Sequence, residues 1–304
     1  AATGKSKVAI CGYHGWHDWY LAANLGTENT LAGHLLPGLE PNGVPENLRG
    51  SVLTFNYNRI DELEALISTN ELGAIMMEVS RNFGPEDNFL QKVRDLATKH
   101  GIVLMFDECT SGFRQTFGGL HKMFGVEPDM AMFGKALGNG YAITAVLGKR
   151  SVMEAAQNTF ISSTFWTERI GPTAALATLD VMEQTKSWEI ITKMGVYITE
   201  QWQSIAKSTG IAIKTSGLPA LTSFSVDSKF ALEYKTLITQ EMLKKSYLAG
   251  TSVYVATVHT KEIVDRFFVE LEPVFALIKE CEDGRDVQSL LDGPTCSSGF
   301  KRLN

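Results

Sequence analysis

The stretch IVLMFDE (102–108) decides the fold. Five apolar residues run without a break into Asp107, too few for a helix and too uniformly apolar for a strand with one wet face. Such a run reads as a strand buried on both faces, the kind a parallel sheet requires. Just upstream, NFLQKVRDLATKHG (88–101) reads as an amphipathic helix with apolar residues at 89, 90, 93 and 96 and a stop at Gly101. Further back, AIMMEV (74–79) reads as a strand, DELEALIS (61–68) as a helix with Asp61 near its N-cap, and KVAICGY (7–13) as a strand. Downstream, DMAMFGK (129–135) and AITAVLG (142–148) read as two more strands. Strand, helix and strand in this alternation predict βαβ units and an α/β fold with a mostly parallel central sheet. The ligand crevice then belongs at the carboxyl ends of the strands.

From about residue 172 the pattern changes. PTAALATLDVME, WEIITKMGVYITEQWQSIAKSTG and EYKTLITQEMLKKSYLAG read as helices, as does a segment from about Thr260 to Cys281. Between them lie LTSFSVD and a short strand, TSVYVA. The expected division is a large domain over 1–175 and a smaller α+β domain over 176–304. The opening AATG reads as the tail of a helix stopped at Gly4, so the chain is expected to lack the start of its parent fold.

Composition narrows the function classes. With 44 % apolar and 20 % charged residues in 304, the chain has the make-up of a folded globular protein. A net charge of −6 gives no electrostatic reason to bind nucleic acid or anionic lipid. No apolar run reaches the ~18–20 residues of a bilayer span. The four cysteines, Cys11, Cys109, Cys281 and Cys296, form no CxxC pair. That argues against a zinc cage or disulfide framework and suits a reducing cytoplasm.

Four polar residues sit at or just past strand ends, where backbone pairing stops and a pocket can open: Tyr13, Glu78, Asp107 and Lys135. A desolvated lysine amine has a pKa lowered toward neutrality and condenses with a carbonyl. A buried aspartate is what a pyridinium nitrogen needs to keep its proton. Lys135 and Asp107 together therefore suggest pyridoxal 5'-phosphate, with Tyr13 stacked on one ring face and Cys109 backing the other. His14 is expected to help shape that pocket. HGWHD (14–18) also offers two histidines and an aspartate to a metal, but three or four preorganised ligands are needed and no second cluster follows, so no metal is assigned. GNG (138–140) lacks the spacing of a dinucleotide fingerprint and reads as a sharp turn after the lysine.

YHGWHDW (13–19), FDECTSGFR (106–114), PDMAMFGKALGNGYAITAVLG (128–148) and SSTFWTE (162–168) together resemble class III pyridoxal-phosphate aminotransferases, in particular the glutamate-1-semialdehyde 2,1-aminomutase group. The match is collinear over almost the whole chain. It implies fold type I and a homodimer with active sites at the interface. It implies that Lys135 holds the cofactor as a Schiff base and moves the proton, and that Asp107 pairs with the pyridinium. It further implies that Tyr13 stacks on the ring, Cys109 packs on the other face, Glu78 lies beside the cofactor, and Thr164 donates to the phosphate across the dimer interface. The implied activity is amino-group transfer on a small amino-acid-like or amino-sugar substrate, by a transaminase or an aminomutase. The alternative is a truncated or degenerate homologue that keeps the fold and dimer surface but binds cofactor poorly. Two features depart from the family. The Gly-Ser/Thr turn that precedes YHG and cradles the phosphate does not occur here, and FWTERIGPTAA stands where many members have a Gly-Asn-Pro turn.

Overall fold

The structure, a computed structural model, describes residues 1–15, 17–26, 30–31, 34, 38, 40–80 and 82–298. Trp16 of the YHGWHDW motif and residues 299–304 of the basic tail lie outside them. The chain divides into two compact units, Ala1–Lys186 and Ser187–Asn304. The first contains, in order, β1 (Lys7–Cys11), α1 (Asp18–Leu21), β2 (Val52–Thr54), α2 (Ile60–Thr69), β3 (Leu72–Glu78), α3 (Phe89–Lys99), β4 (Val103–Asp107), β5 (Met130–Phe133), β6 (Ala145–Gly148), α4 (Arg150–Met153) and α5 (Ile170–Thr185). The expected boundary at 175/176 falls inside α5, which continues unbroken to Thr185. The division instead comes at Lys186, a residue in the left-handed region (φ 50°) that ends the helix.

The strands form one six-stranded sheet in the order β2-β1-β3-β4-β5-β6. Every pairing is parallel except β5 with β6, which is antiparallel. This is the α/β arrangement the strand and helix alternation predicts. Ile75, Met77, Leu104 and Phe106 in the two central strands are fully buried, as continuous apolar runs demand. α3 buries Phe89, Leu90, Val93 and Ala97 along one face and is terminated by Gly101 at φ +63°. The chain leaves β1 for β2 on one side, then returns to place β3 on the other. The β1/β3 boundary is therefore a topological switch point, where the carboxyl ends of two strands part and open a crevice.

The second unit holds α6 (Ser187–Thr209), an antiparallel hairpin of β7 (Ile213–Ser216) and β8 (Ser223–Val226), α7 (Ala231–Lys244) and α8 (Lys261–Glu282). Its core gathers Trp202, Phe224, Tyr234 and Phe275. Gly195 lets α6 run against the Pro219 carbonyl, since a Cβ there would sit 1.8 Å from that oxygen. The strand expected at TSVYVA is not a ladder: it makes one isolated bridge, Ser223 with Ser252. In the tail, the Cys296 N–H donates to Thr236 Oγ1 at 2.9 Å, tying residue 296 to α7.

Candidate active site

Parallel register sets the first two site residues side by side. Glu78 ends β3, Asp107 ends β4, and the two are direct register partners. One strand further, Asp107 is opposite Met132, and the chain leaves β5 into Lys135. On the other flank β1 runs out through Gly12 into Tyr13, whose N–H donates to Glu78 Oε2 at 3.1 Å. Gly12 has φ +116°, and a Cβ on it would come within 2.7 Å of the same oxygen. Only glycine lets the backbone turn over Glu78 at this distance. Tyr20 Oη donates to the Gly12 carbonyl at 3.0 Å, and the Gly12 N–H donates to His34 Nδ1 at 2.9 Å, so Gly12 is fixed from both sides.

Asp107 is held on both oxygens. His14 Nδ1 lies 2.9 Å from Oδ2, and the Cys109 N–H donates to Oδ1 at 3.1 Å. Burial alone would raise the Asp107 pKa. The His14 hydrogen bond and charge and the Cys109 N–H outweigh it and hold the carboxyl below its ordinary value. Asp107 is thus an anion at neutral pH. A carboxylate can only accept, so Nδ1 carries the proton of that bond. The His14 side chain is fully buried, and its Nε2 has no hydrogen-bond partner among the described residues.

Cys109 packs as a neutral thiol. Burial and the Asp107 charge push it up to about 11 against the opposing Lys135 cation. It is therefore no nucleophile at neutral pH. Lys135 itself departs from expectation. It is exposed rather than desolvated, with its backbone in the left-handed region at φ +46°. The fold fixes where this amine points instead of burying it, for Nζ donates to Thr110 Oγ1 at 2.6 Å. Thr164 lies apart from this cluster in the sequence, in an exposed turn at 164–167.

The fold thus brings together Tyr13, His14, Glu78, Asp107 and Cys109, with Lys135 beside them. Two participants escaped the sequence reading. Thr110 lies within FDECTSGFR, three residues past Asp107, as Lys135 lies three past Asp107's register partner Met132. Counting equal steps from a strand pair would have found it. His34 has no such signal, for it comes from a polar connection 22 residues from the backbone amide it binds.

A mostly parallel sheet with the lysine and aspartate at adjacent strand ends is the large-domain architecture of fold type I pyridoxal-phosphate enzymes. The chain belongs to the Aminotransferase class-III family, whose model matches residues 3–275. It is 32 % identical over 277 residues to the 3-aminobutyryl-CoA aminotransferase of Cloacimonas acidaminovorans, covering 86 % of this chain and 62 % of that one. It is 27 % identical over 294 residues to the glutamate-1-semialdehyde 2,1-aminomutase of Hyperthermus butylicus, covering 88 % and 67 %. Among solved structures it superposes on an omega-transaminase from Sphaerobacter thermophilus with a TM-score of 0.76 at 20 % identity, over 90 % of this chain and 69 % of that one. The chain spans about two thirds of the length of these relatives. No helix among the described residues is long and apolar enough to cross a membrane.

Proposed function

We propose that this chain carries the catalytic side of a pyridoxal-phosphate site used for amino-group transfer, by transamination or by an intramolecular amino shift. The observation that carries the reading is the Asp107 carboxylate, kept ionised by His14 at the end of β4, with the Lys135 amine presented from the adjacent β5. These residues fit the ring end of the cofactor: a fixed anion, an accessible amine, an aromatic side chain at Tyr13 and a neutral thiol at Cys109. When bound, pyridoxal phosphate supplies a carbonyl for the lysine and a protonated ring that draws electrons from the amine-bearing carbon.

In this reading the protein's own part is as follows. Asp107 accepts the hydrogen bond that keeps a proton on the ring nitrogen. His14 donates to Asp107 and keeps its carboxylate oriented. Tyr13 and Cys109 would cover the two ring faces and keep water out, while Glu78 fixes the Tyr13 backbone. Lys135 Nζ anchors the cofactor and takes and returns the proton that moves during amino transfer. The substrate is a small amino compound, consistent with relatives that bear both aminotransferase and aminomutase names.

A homodimer, with Thr164 directed at the partner's phosphate, is supported by the apolar side chains exposed beside it. Phe160, Ile161, Phe165, Trp166 and Ile170 are all more than half exposed in this single chain. A run of this kind marks an interaction surface. The four cysteines are unpaired, as suits a cytoplasmic enzyme.

The test is a half-reaction. With pyridoxal phosphate the protein should absorb in the visible, and an amine donor should bleach that band in wild type but not in Lys135→Ala. If no visible band forms at saturating cofactor, this chain instead keeps the fold without a working site.

A further inference from the structure

Resting on the assignment of Lys135 as the cofactor-bearing amine, we propose that Thr110 is a positioning residue whose hydroxyl holds the free Lys135 amine at the mouth of the Asp107 site. The contact is built into the sheet. Asp107 and Met132 are register partners on β4 and β5, and three residues beyond each the chain reaches Thr110 and Lys135. Nζ donates to Thr110 Oγ1 at 2.6 Å.

Both ends of this contact are fixed by the backbone. Arg114 Nε donates to the Thr110 carbonyl at 2.8 Å, so the turn after β4 is pinned where the hydroxyl emerges. The Lys135 carbonyl accepts from the N–H groups of Gly138 and Asn139 at 3.2 and 3.1 Å, which holds the lysine in its left-handed conformation. An exposed lysine side chain otherwise samples many rotamers, and ordering it costs conformational entropy. A preset partner reduces that search.

The chemistry of the partner matters more than its place. A threonine hydroxyl both accepts and donates, so it can hold the amine as ammonium or as neutral base. A carboxylate in this position would lock the ammonium form and oppose proton transfer. The nearby carboxylate that could do so, Asp107, is already committed to His14 and the Cys109 N–H. The hydroxyl therefore orients Lys135 without fixing its charge.

The experiment compares wild type, Thr110→Ser and Thr110→Val. In cofactor-free protein, Lys135 is labelled with trinitrobenzenesulfonate at one mildly alkaline pH and followed by peptide mass spectrometry. The hydroxyl-bearing pair should label alike, and Thr110→Val about fivefold faster, the worth of one lost hydrogen bond of ~1 kcal/mol. In the loaded enzyme Thr110→Val should lower kcat with KM little changed, and Thr110→Ser should restore it. Equal labelling of Lys135 in wild type and Thr110→Val overturns the assignment, as does Thr110→Ser behaving like valine. A separate arm treats wild type with pyridoxal phosphate and borohydride: absence of an adduct on Lys135 overturns the functional reading and the role of Thr110 with it. An adduct on Lys135 with equal labelling rates overturns the role of Thr110 alone.

Discussion

Two carboxylate–histidine pairs lie next to each other in sequence at the end of β4, and they do different work. Asp107 meets His14 Nδ1 at 2.9 Å, and Glu108 meets His121 Nδ1 at 2.8 Å. Glu108 is completely buried and is consumed locally. It accepts the His121 N–H at 3.0 Å, the His121 ring and the Ser111 hydroxyl, closing the loop that runs from β4 toward β5. Gly119 has no room for a Cβ there, since it would meet His121 Nδ1 at 2.3 Å. The far nitrogen of His121 is turned toward the exposed Glu127, 3.8 Å away. The far nitrogen of His14 is buried and has no partner among the described residues. One pair satisfies its own neighbourhood and serves as scaffold. The other leaves a buried polar atom without a partner among the described residues, which folded proteins rarely tolerate without a functional reason.

That contrast can be broken by mutation. Glu108→Ala should give the largest loss of stability, about 3–5 kcal/mol, because it strands the buried His121 and Ser111 groups. Urea unfolding should show a matching fall in midpoint, with the activity of the remaining folded fraction near normal. Asp107→Asn should reverse the balance. Asparagine can accept from His14 but sets its amide NH2 against the Cys109 N–H, so at neutral pH the midpoint should fall by less than in Glu108→Ala, while turnover should drop by about 10²-fold or more. Comparable losses of stability in the two variants would erase the distinction.

The acid dependence sharpens it. The folded Asp107 pKa is held below its unfolded value of about 3.9. Its contribution to stability is therefore present above about pH 4 and disappears as pH falls through the lowered folded value. The difference in unfolding free energy between wild type and Asp107→Asn should shrink on acidification, and urea titrations at several pH values would show it.

Smaller effects belong to the flank at β1. Gly12→Ala should cost about 1–3 kcal/mol, because its Cβ would collide with Glu78 at a backbone angle alanine resists. Wild type and variant compared by thermal melting would measure this. His34 has its pKa lowered by burial first and then by the His14 charge, and it must be neutral to accept the Gly12 N–H. Its share of stability should be full above about pH 6.5 and fall as pH drops, by about 1 kcal/mol. In His34→Ala that part of the pH dependence should vanish.

How much of this was legible beforehand depends on the range of the interaction. The apolar runs ending in Glu78 and Asp107 carried the sheet and the location of the crevice, because a strand buried on both faces leaves few alternatives. The motifs carried Lys135 and Asp107 as partners in one site. The pairing of His14 with Asp107 spans 93 residues and exists only because the topology swings the end of β1 toward β4. The exposure of Lys135 is not legible in the sequence for a related reason. A run such as DMAMFGK shows that the strand is buried but not how far the chain emerges before the lysine. TSVYVA has the composition of a strand but shares only one bridge with β8. Its pattern described side chains, and the ladder depends on a neighbouring edge.

The central claim is that Lys135, rather than any other lysine, is the amine that carries the cofactor in the site anchored by Asp107. The direct measurement is borohydride reduction of the protein loaded with pyridoxal phosphate, followed by digestion and peptide mapping. One stoichiometric pyridoxyl modification is expected, on the peptide containing Lys135, and it should be lost in Lys135→Ala. A stoichiometric modification on a different lysine, or an unchanged pattern in Lys135→Ala, would contradict it.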